Sequence, residues 1–185
     1  MGARPDNSPP NEQMIKRNSL SPTEYGTFYS NYIELVPADI TLRTALDDSA
    51  AVLTEYLTNL PEEKVNHAYA SGKWTVKEAL QHIIDTERIF AYRALCLGRH
   101  DETPLPSFEH KQYAVWADVT RREFERMIEE FRTVRKSTIS LFNGFSESDL
   151  QFTGSVGGGP MSCRAMGFII SGHTYHHMEI FRDRY

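Results

Sequence analysis

"TVKEALQHIIDTERIFAYRALCLG", residues 75–98, carries a helix start, a helix stop and a long interior between them. Thr75 offers a side-chain cap, and Glu78, three positions on, completes a capping box. Gly98 is a favourable residue at the far end. The stretch therefore predicts one long helix. His82 lies in it, on a face shared with Ala79, Thr86, Ile89, Phe90 and Arg93. That face is the edge of the apolar arc, which suits a residue lining a groove.

Three further stretches have the same character. Residues 39–60 predict an amphipathic helix with Leu42, Leu46, Val52, Leu53, Tyr56, Leu57 and Leu60 as core candidates. Thr120 and Glu123 predict a capping box for a third helix, with Phe124, Met127, Ile128, Phe131, Val134, Ile139, Leu141 and Phe142 inward and a break at Gly144. Ser162 opens a fourth that runs nearly to the end. Four long helices with few strand signals predict an all-α four-helix bundle. "PEEK" (61–64) and "SESDL" (146–150) read as short helical turns, and "YASGKW" (69–74) as a loop. "GSVGGGPM" (154–161) reads as a glycine-rich, hairpin-like loop. Residues 99–118, with Pro104 and Pro106, form a connection too long for a simple helical hairpin. They predict a crossover or a lid, with a turn of helix near 109–116.

Ahead of the bundle, Ser21, Pro22 and Glu24 form another cap signal. Tyr25, Phe28, Tyr29, Tyr32 and Ile33 then recur at helical spacing. They predict a short aromatic helix packed on the main body, whose tyrosines are candidates for a substrate mouth. Residues 1–20, rich in Pro, Asn and Ser, read as an extension, flexible or draped over a domain of residues 21–185.

A net charge of −5 and a pI near 5.8 oppose a nucleic-acid binder that tracks phosphates. The basic cluster Arg121–Arg122 and Arg132–Arg135–Lys136 is interleaved with glutamates and reads as a solvated helix face. Cys96 and Cys163 lack a CxxC spacing and read as reduced thiols. No apolar run reaches the roughly 18 residues of a membrane span, and no secretory signal stands at the N-terminus. The expected setting is cytoplasmic.

"GHTYHHMEIF", residues 172–181, concentrates three of the chain's 7 histidines. His173 and His177 lie one turn apart within the stripe formed by Met166, Ile169, Ile170, Ile180 and Phe181. His176 falls toward the stripe's edge, which suits an outer-shell or surface role. Two buried imidazoles need partners, and a divalent ion would satisfy both. Paired core histidines are the competing reading. His82 is the best candidate for a third ligand. Three neutral histidines leave open positions, as in a catalytic site, and suit Zn, Ni or Fe. Asp85 and Glu179 are weak candidates for a base or for orienting a histidine, and Arg93 for meeting an anionic group. Surface ion pairs, or a structural pair for Arg93, compete with each of these readings.

"KWTVKEALQHIIDTERIFAYRAL" (73–95) followed by "GHTYHHMEIFRDRY" (172–185) resembles the DinB/YfiT-like superfamily of metal-dependent enzymes. "EYGTFYSNYIELVPADI" (24–40) and "PLPSFEHKQYA" (104–114) extend the resemblance over residues 22–185. The resemblance implies a bundle with up-down-down-up connectivity and a metal held by His82, His173 and His177. It also implies a small-molecule substrate and a homodimer. It points first to a low-molecular-weight-thiol S-transferase, with a thiol cosubstrate. A metal-dependent hydrolase, or a non-catalytic metal-binding stress-response module, is the alternative.

Overall fold

The computed structural model describes residues 15–185. Residues 1–14 of the expected extension lie outside the described residues. Residues 15–20 lie against the body: Ile15 is buried, and the Arg17 backbone N–H donates to the Ile40 carbonyl.

The aromatic segment is broken where a single helix was expected. It forms short 3-10 turns at Pro22–Glu24 and Thr27–Tyr29, then the five-residue helix α1, Ser30–Glu34. Gly26, extended at φ −65° and ψ 144°, separates the two turns. The capping box of Ser21 and Glu24 forms as expected. Glu24 also takes a bidentate contact from Arg164, which ties the segment to the last helix.

The long helices are α2 (Leu42–Thr58), α4 (Val76–Gly98), α6 (Phe124–Asn143) and α8 (Cys163–Arg184). Shorter ones are α3 (Glu62–Val65), α5 (His110–Trp116) and α7 (Glu147–Gln151). Thr75 with Glu78 caps α4, and Ser162 caps α8, as the sequence predicts. The predicted Thr120–Glu123 box does not form. Asp118 captures both the backbone N–H and the hydroxyl of Thr120, and α6 begins later with Glu123 at its N-cap.

Contacts between helix ends fix the directions. Tyr56 near the end of α2 donates to Phe181 near the end of α8, so these two run parallel. Cys163 at the start of α8 meets Ala94 late in α4, so that pair is antiparallel. Gly98 at the end of α4 faces the Phe145 ring just beyond α6, and Arg135 of α6 meets Glu87 of α4, so those helices run parallel. The connectivity is up-down-down-up. A parallel α4–α6 pair requires a connection that travels the length of the bundle, which residues 99–123 supply.

That crossover is pinned by a β-hairpin, which adds a small sheet to an otherwise helical fold. β1 (Thr153–Val156) pairs antiparallel with β2 (Gly159–Ser162). The two-residue turn needs positive φ at both positions, met by Gly157 at 60° and Gly158 at 83°. Leu105 exchanges backbone hydrogen bonds with the β1 edge, and Tyr25 bridges to Met161 on the other. The hairpin thereby holds the crossover and the aromatic segment on the same molecule-end.

The four helices meet at one buried cation. All five N–H groups of Arg135 on α6 are engaged: a bidentate pair with Glu87 on α4 at 2.7 and 2.9 Å, the Leu46 carbonyl and Ser49 hydroxyl on α2, and the Thr174 hydroxyl on α8. Arg135 and Glu87 are 2% and 3% exposed, so Arg135 is not part of a solvated face as its charged neighbours suggest. Its planar fork explains the choice of arginine, because only that geometry serves four helices at once.

Gly172 lets α1 sit directly on α8. A Cβ there would fall on the Tyr32 carbonyl, which is backbone and cannot rotate away. Gly172→Ala gains about 1 kcal/mol of helix propensity but suffers overpacking of about 1–3 kcal/mol or more. We expect a net loss of several degrees in Tm by calorimetry, with Tyr32 displaced. An unchanged or raised Tm would show that α1 does not pack this closely.

Candidate metal centre

His82 on α4 and His173 and His177 on α8 converge. The Nε2 atoms of His82 and His173 are 3.1 Å apart, and those of His173 and His177 are 3.2 Å apart. All three ligand atoms lie within 4.8 Å of one another. Antiparallel packing of α4 on α8 brings the first half of one helix against the second half of the other. The i, i+4 spacing puts both α8 histidines on that contact face.

The donor set fits a cation better than it fits a hydrogen-bonded cluster. His173 Nε2 has one site, either a proton or a lone pair, yet it faces two other nitrogens. Four-coordinate zinc with bonds of about 2.0–2.1 Å separates its nitrogen ligands by about 3.3 Å. The observed edges are close to that value.

The surroundings keep the imidazoles neutral. Burial, reinforced by charge on His110 and His176, lowers the His82 pKa to about 4. Burial and the neighbouring histidines hold His173 and His177 well below the usual 6.5. Thr86 Oγ1 stands 3.4 Å from His82 Nδ1. With Nδ1–H donating to that hydroxyl, Nε2 carries the lone pair. Tyr32 meets His173 and His176 edge-on, Phe90 borders His173, and Trp74 lies 4.8 Å from the His82 ring.

This arrangement sets a pH dependence for the metal-free protein. Each of the three has a folded-state pKa below its unfolded value. Below about pH 6.5 the unfolded chain takes up protons that the fold resists. The stability is therefore intact above pH 6.5 and is lost as pH falls toward 4 and beyond. Without metal, Tm should decline steadily from pH 7 to 4.5. A His82→Asn/His173→Asn/His177→Asn triple variant should show a flatter profile. An equal acid slope in both proteins would contradict this assignment.

The other candidates have different places. Asp85 accepts from Gln81 Nε2 at 2.9 Å and lies 3.7 Å from Arg88. It hydrogen-bonds no histidine of the cluster among the described residues; Thr86, one position on, takes that role instead. Glu179 is exposed, and its charge acts on His176. His176 is half-buried at the rim, as its helical position predicts. Arg93 is buried, donates to the Pro106 carbonyl at 2.6 Å and lies over the Phe90 and Phe108 rings. It holds the crossover. Burial pushes the Cys163 thiol up to about 12, which rules it out as a thiolate near neutral pH.

His110 lies in the connection expected over residues 99–118. The crossover carries it to 5.8 Å, ring to ring, from His82. Only a tertiary contact reveals this, because nothing in the spacing of residues 82 and 110 encodes it. A cavity of about 490 Å3 lies elsewhere, between α2, α3, α6 and the start of α4, lined by Leu57, Val65, Lys77, Phe124 and Ile128 and by none of the three histidines.

A three-histidine centre between antiparallel helices of an up-down-down-up bundle defines a class of metal-binding helical proteins. Comparison with known proteins agrees: residues 45–181 match the DinB superfamily, and the chain belongs to that family. It is 26% identical over 129 residues to an Oceanobacillus iheyensis protein provisionally described as a metal-dependent hydrolase. That alignment spans 68% of this chain and 73% of the relative. A second protein of that organism, described likewise, is 26% identical over 109 residues, 58% of this chain and 62% of its own length. YfiT from Bacillus subtilis, described as having an unusual four-helix bundle topology, superposes with a TM-score of 0.64 at 16% identity. The match covers 76% of this chain and 84% of YfiT, and supports the fold.

Among the described residues, no helix is long and apolar enough to cross a membrane.

Proposed function

We propose that the protein is a divalent-metal-dependent enzyme whose ion is held by His82, His173 and His177. The convergence of three neutral Nε2 atoms carries this reading. A zinc, nickel or iron ion there supplies a Lewis acid with positions left open, able to lower the pKa of a thiol or water proton. The chain's own residues do the rest. Burial keeps the imidazole lone pairs free of protons, Thr86 orients His82, and Tyr32 and Phe90 shield His173 from solvent.

Transfer of a low-molecular-weight thiol to an electrophile is the reading we favour. No carboxylate of the described residues hydrogen-bonds a cluster histidine: Asp85 is bound to Gln81, and Glu179 is exposed. The ion would acidify a bound thiol or a bound water alike, but hydrolysis ordinarily also needs a side chain to pass a proton to the leaving group, whereas a thiolate attacking an electrophile needs no separate base near neutral pH. Hydrolysis is the second reading, favoured by how the Oceanobacillus iheyensis relatives are described. We expect the active form to be a homodimer acting on a small molecule, which sedimentation of the purified protein checks.

The test loads metal-free protein with zinc, nickel or iron and supplies a thiol with an electrophile, or an ester alone. Stoichiometric thioether formation that disappears in His82→Ala supports transfer. Ester cleavage without thiol consumption supports hydrolysis. A metal-loaded protein inactive in both leaves the non-catalytic binding module as the better account.

A further inference from the structure

Two aromatic walls lead to the histidine cluster, one from the segment before α2 and one from the crossover. On one side Phe28 packs edge-on against Tyr29 and Tyr32, and Tyr32 reaches His173 at 5.5 Å between rings. On the other, Tyr113 of α5 packs on Phe108 of the crossover at 5.5 Å. Both walls end on Phe90, which meets Tyr29 at 6.3 Å, Phe108 at 6.4 Å and His173 at 6.1 Å. The rings become more exposed with distance from the cluster. Phe90 is 4% exposed, Tyr29, Tyr32 and Phe108 are half-buried, Tyr113 is 49% exposed and Phe28 73%.

From this gradient we infer that the strip is the substrate mouth of the centre, and that its ligand is a neutral aromatic or conjugated small molecule. The inference rests on the metal-enzyme reading above. Three observations support it. Aromatic rings offer edges and faces that recognise another flat π-system better than a flexible chain. Phe28 and Tyr113 each leave a large ring open to water at the outer end of a wall, available for a ligand to cover. The one guanidinium embedded in the strip, Arg93, is already committed to the Pro106 carbonyl and to two rings, so it is not presented to an anion.

Benzohydroxamate and acetohydroxamate isolate the effect, since they share a metal-binding head and differ by a phenyl ring against a methyl group. The zinc-loaded protein is expected to bind benzohydroxamate at least tenfold more tightly. In metal-free protein, benzohydroxamate alone should shift backbone amide resonances of residues 28–32 and 108–113. A Phe28→Ala/Tyr113→Ala variant should close the affinity gap, with acetohydroxamate binding and Tm unchanged. Equal affinities for the two probes, or no shift at those amides, would overturn the mouth while leaving the metal centre intact. If zinc does not load, the metal reading falls, and the metal-free titration still decides the strip.

Discussion

His177→Ala is expected to abolish bound metal while leaving the helical circular-dichroism spectrum in place. The loss follows from ligand count. Even outer-shell changes cost about 10–100-fold in metal affinity. Removing one of three protein ligands should therefore exceed about 100-fold. The fold should survive because His177 is buried among groups it does not stabilise when metal is absent. Its pKa is forced well down by burial, so the metal-free fold holds a polar ring at a free-energy cost. In wild-type protein, zinc at about 1,000 times its Kd should add about 4 kcal/mol of stability. For a chain of this size that is a rise of roughly 10 °C in Tm. The variant should show no rise, and elemental analysis should find no ion where the parent carries about one per chain. Equal metal content in both proteins would remove His177 from the site.

The bundle and the pairing of His173 with His177 were legible because both are local. The capping box at Thr75, the Ser162 cap and the Gly144 stop depend on residues three or four apart. The i, i+4 spacing is set by helix geometry alone. His82 was legible as a candidate from its face, but its meeting with His173, 91 positions away, needed either the family resemblance or the fold. The Thr120 box failed for a local reason too: the Asp118 carboxylate, two residues back, accepts from the Thr120 backbone N–H that Glu123 would have taken, and from the Thr120 hydroxyl as well. Arg135 was misplaced because its neighbours Arg132 and Lys136 are polar, and charge pattern gives no sign of a carboxylate on another helix. Thr86 was visible on the His82 face, yet its role depends on a rotamer that spacing does not encode. His110 shows the same limit in a connection, where no periodicity exists to read.

Glu87→Ala should be the most damaging single substitution outside the metal centre. It strips Arg135 of both carboxylate contacts and leaves a guanidinium 2% exposed with no counter-charge. Breaking a buried pair in this way typically costs about 3–5 kcal/mol. That is a large share of the about 5–15 kcal/mol that holds a domain together. Glu87→Gln keeps the shape and one acceptor but removes the charge, and should fall between wild type and alanine. The double variant Glu87→Leu/Arg135→Met removes both charges and both unmet partners on that axis. Replacing a whole buried pair by apolar groups of similar volume is often neutral or stabilising. Here the gain is limited, because the Leu46 carbonyl, Ser49 and Thr174 also lose a donor. Urea unfolding should therefore rank Glu87→Ala as least stable, with the double variant clearly recovered but below wild type. The same series reports on the site. Thr174 and Glu87 are sequence neighbours of His173 and Thr86, so loosening the four-helix junction should also weaken zinc affinity. A double variant no more stable than Glu87→Ala would mean that the junction is held by its polar geometry and not by relief of an unpaired charge.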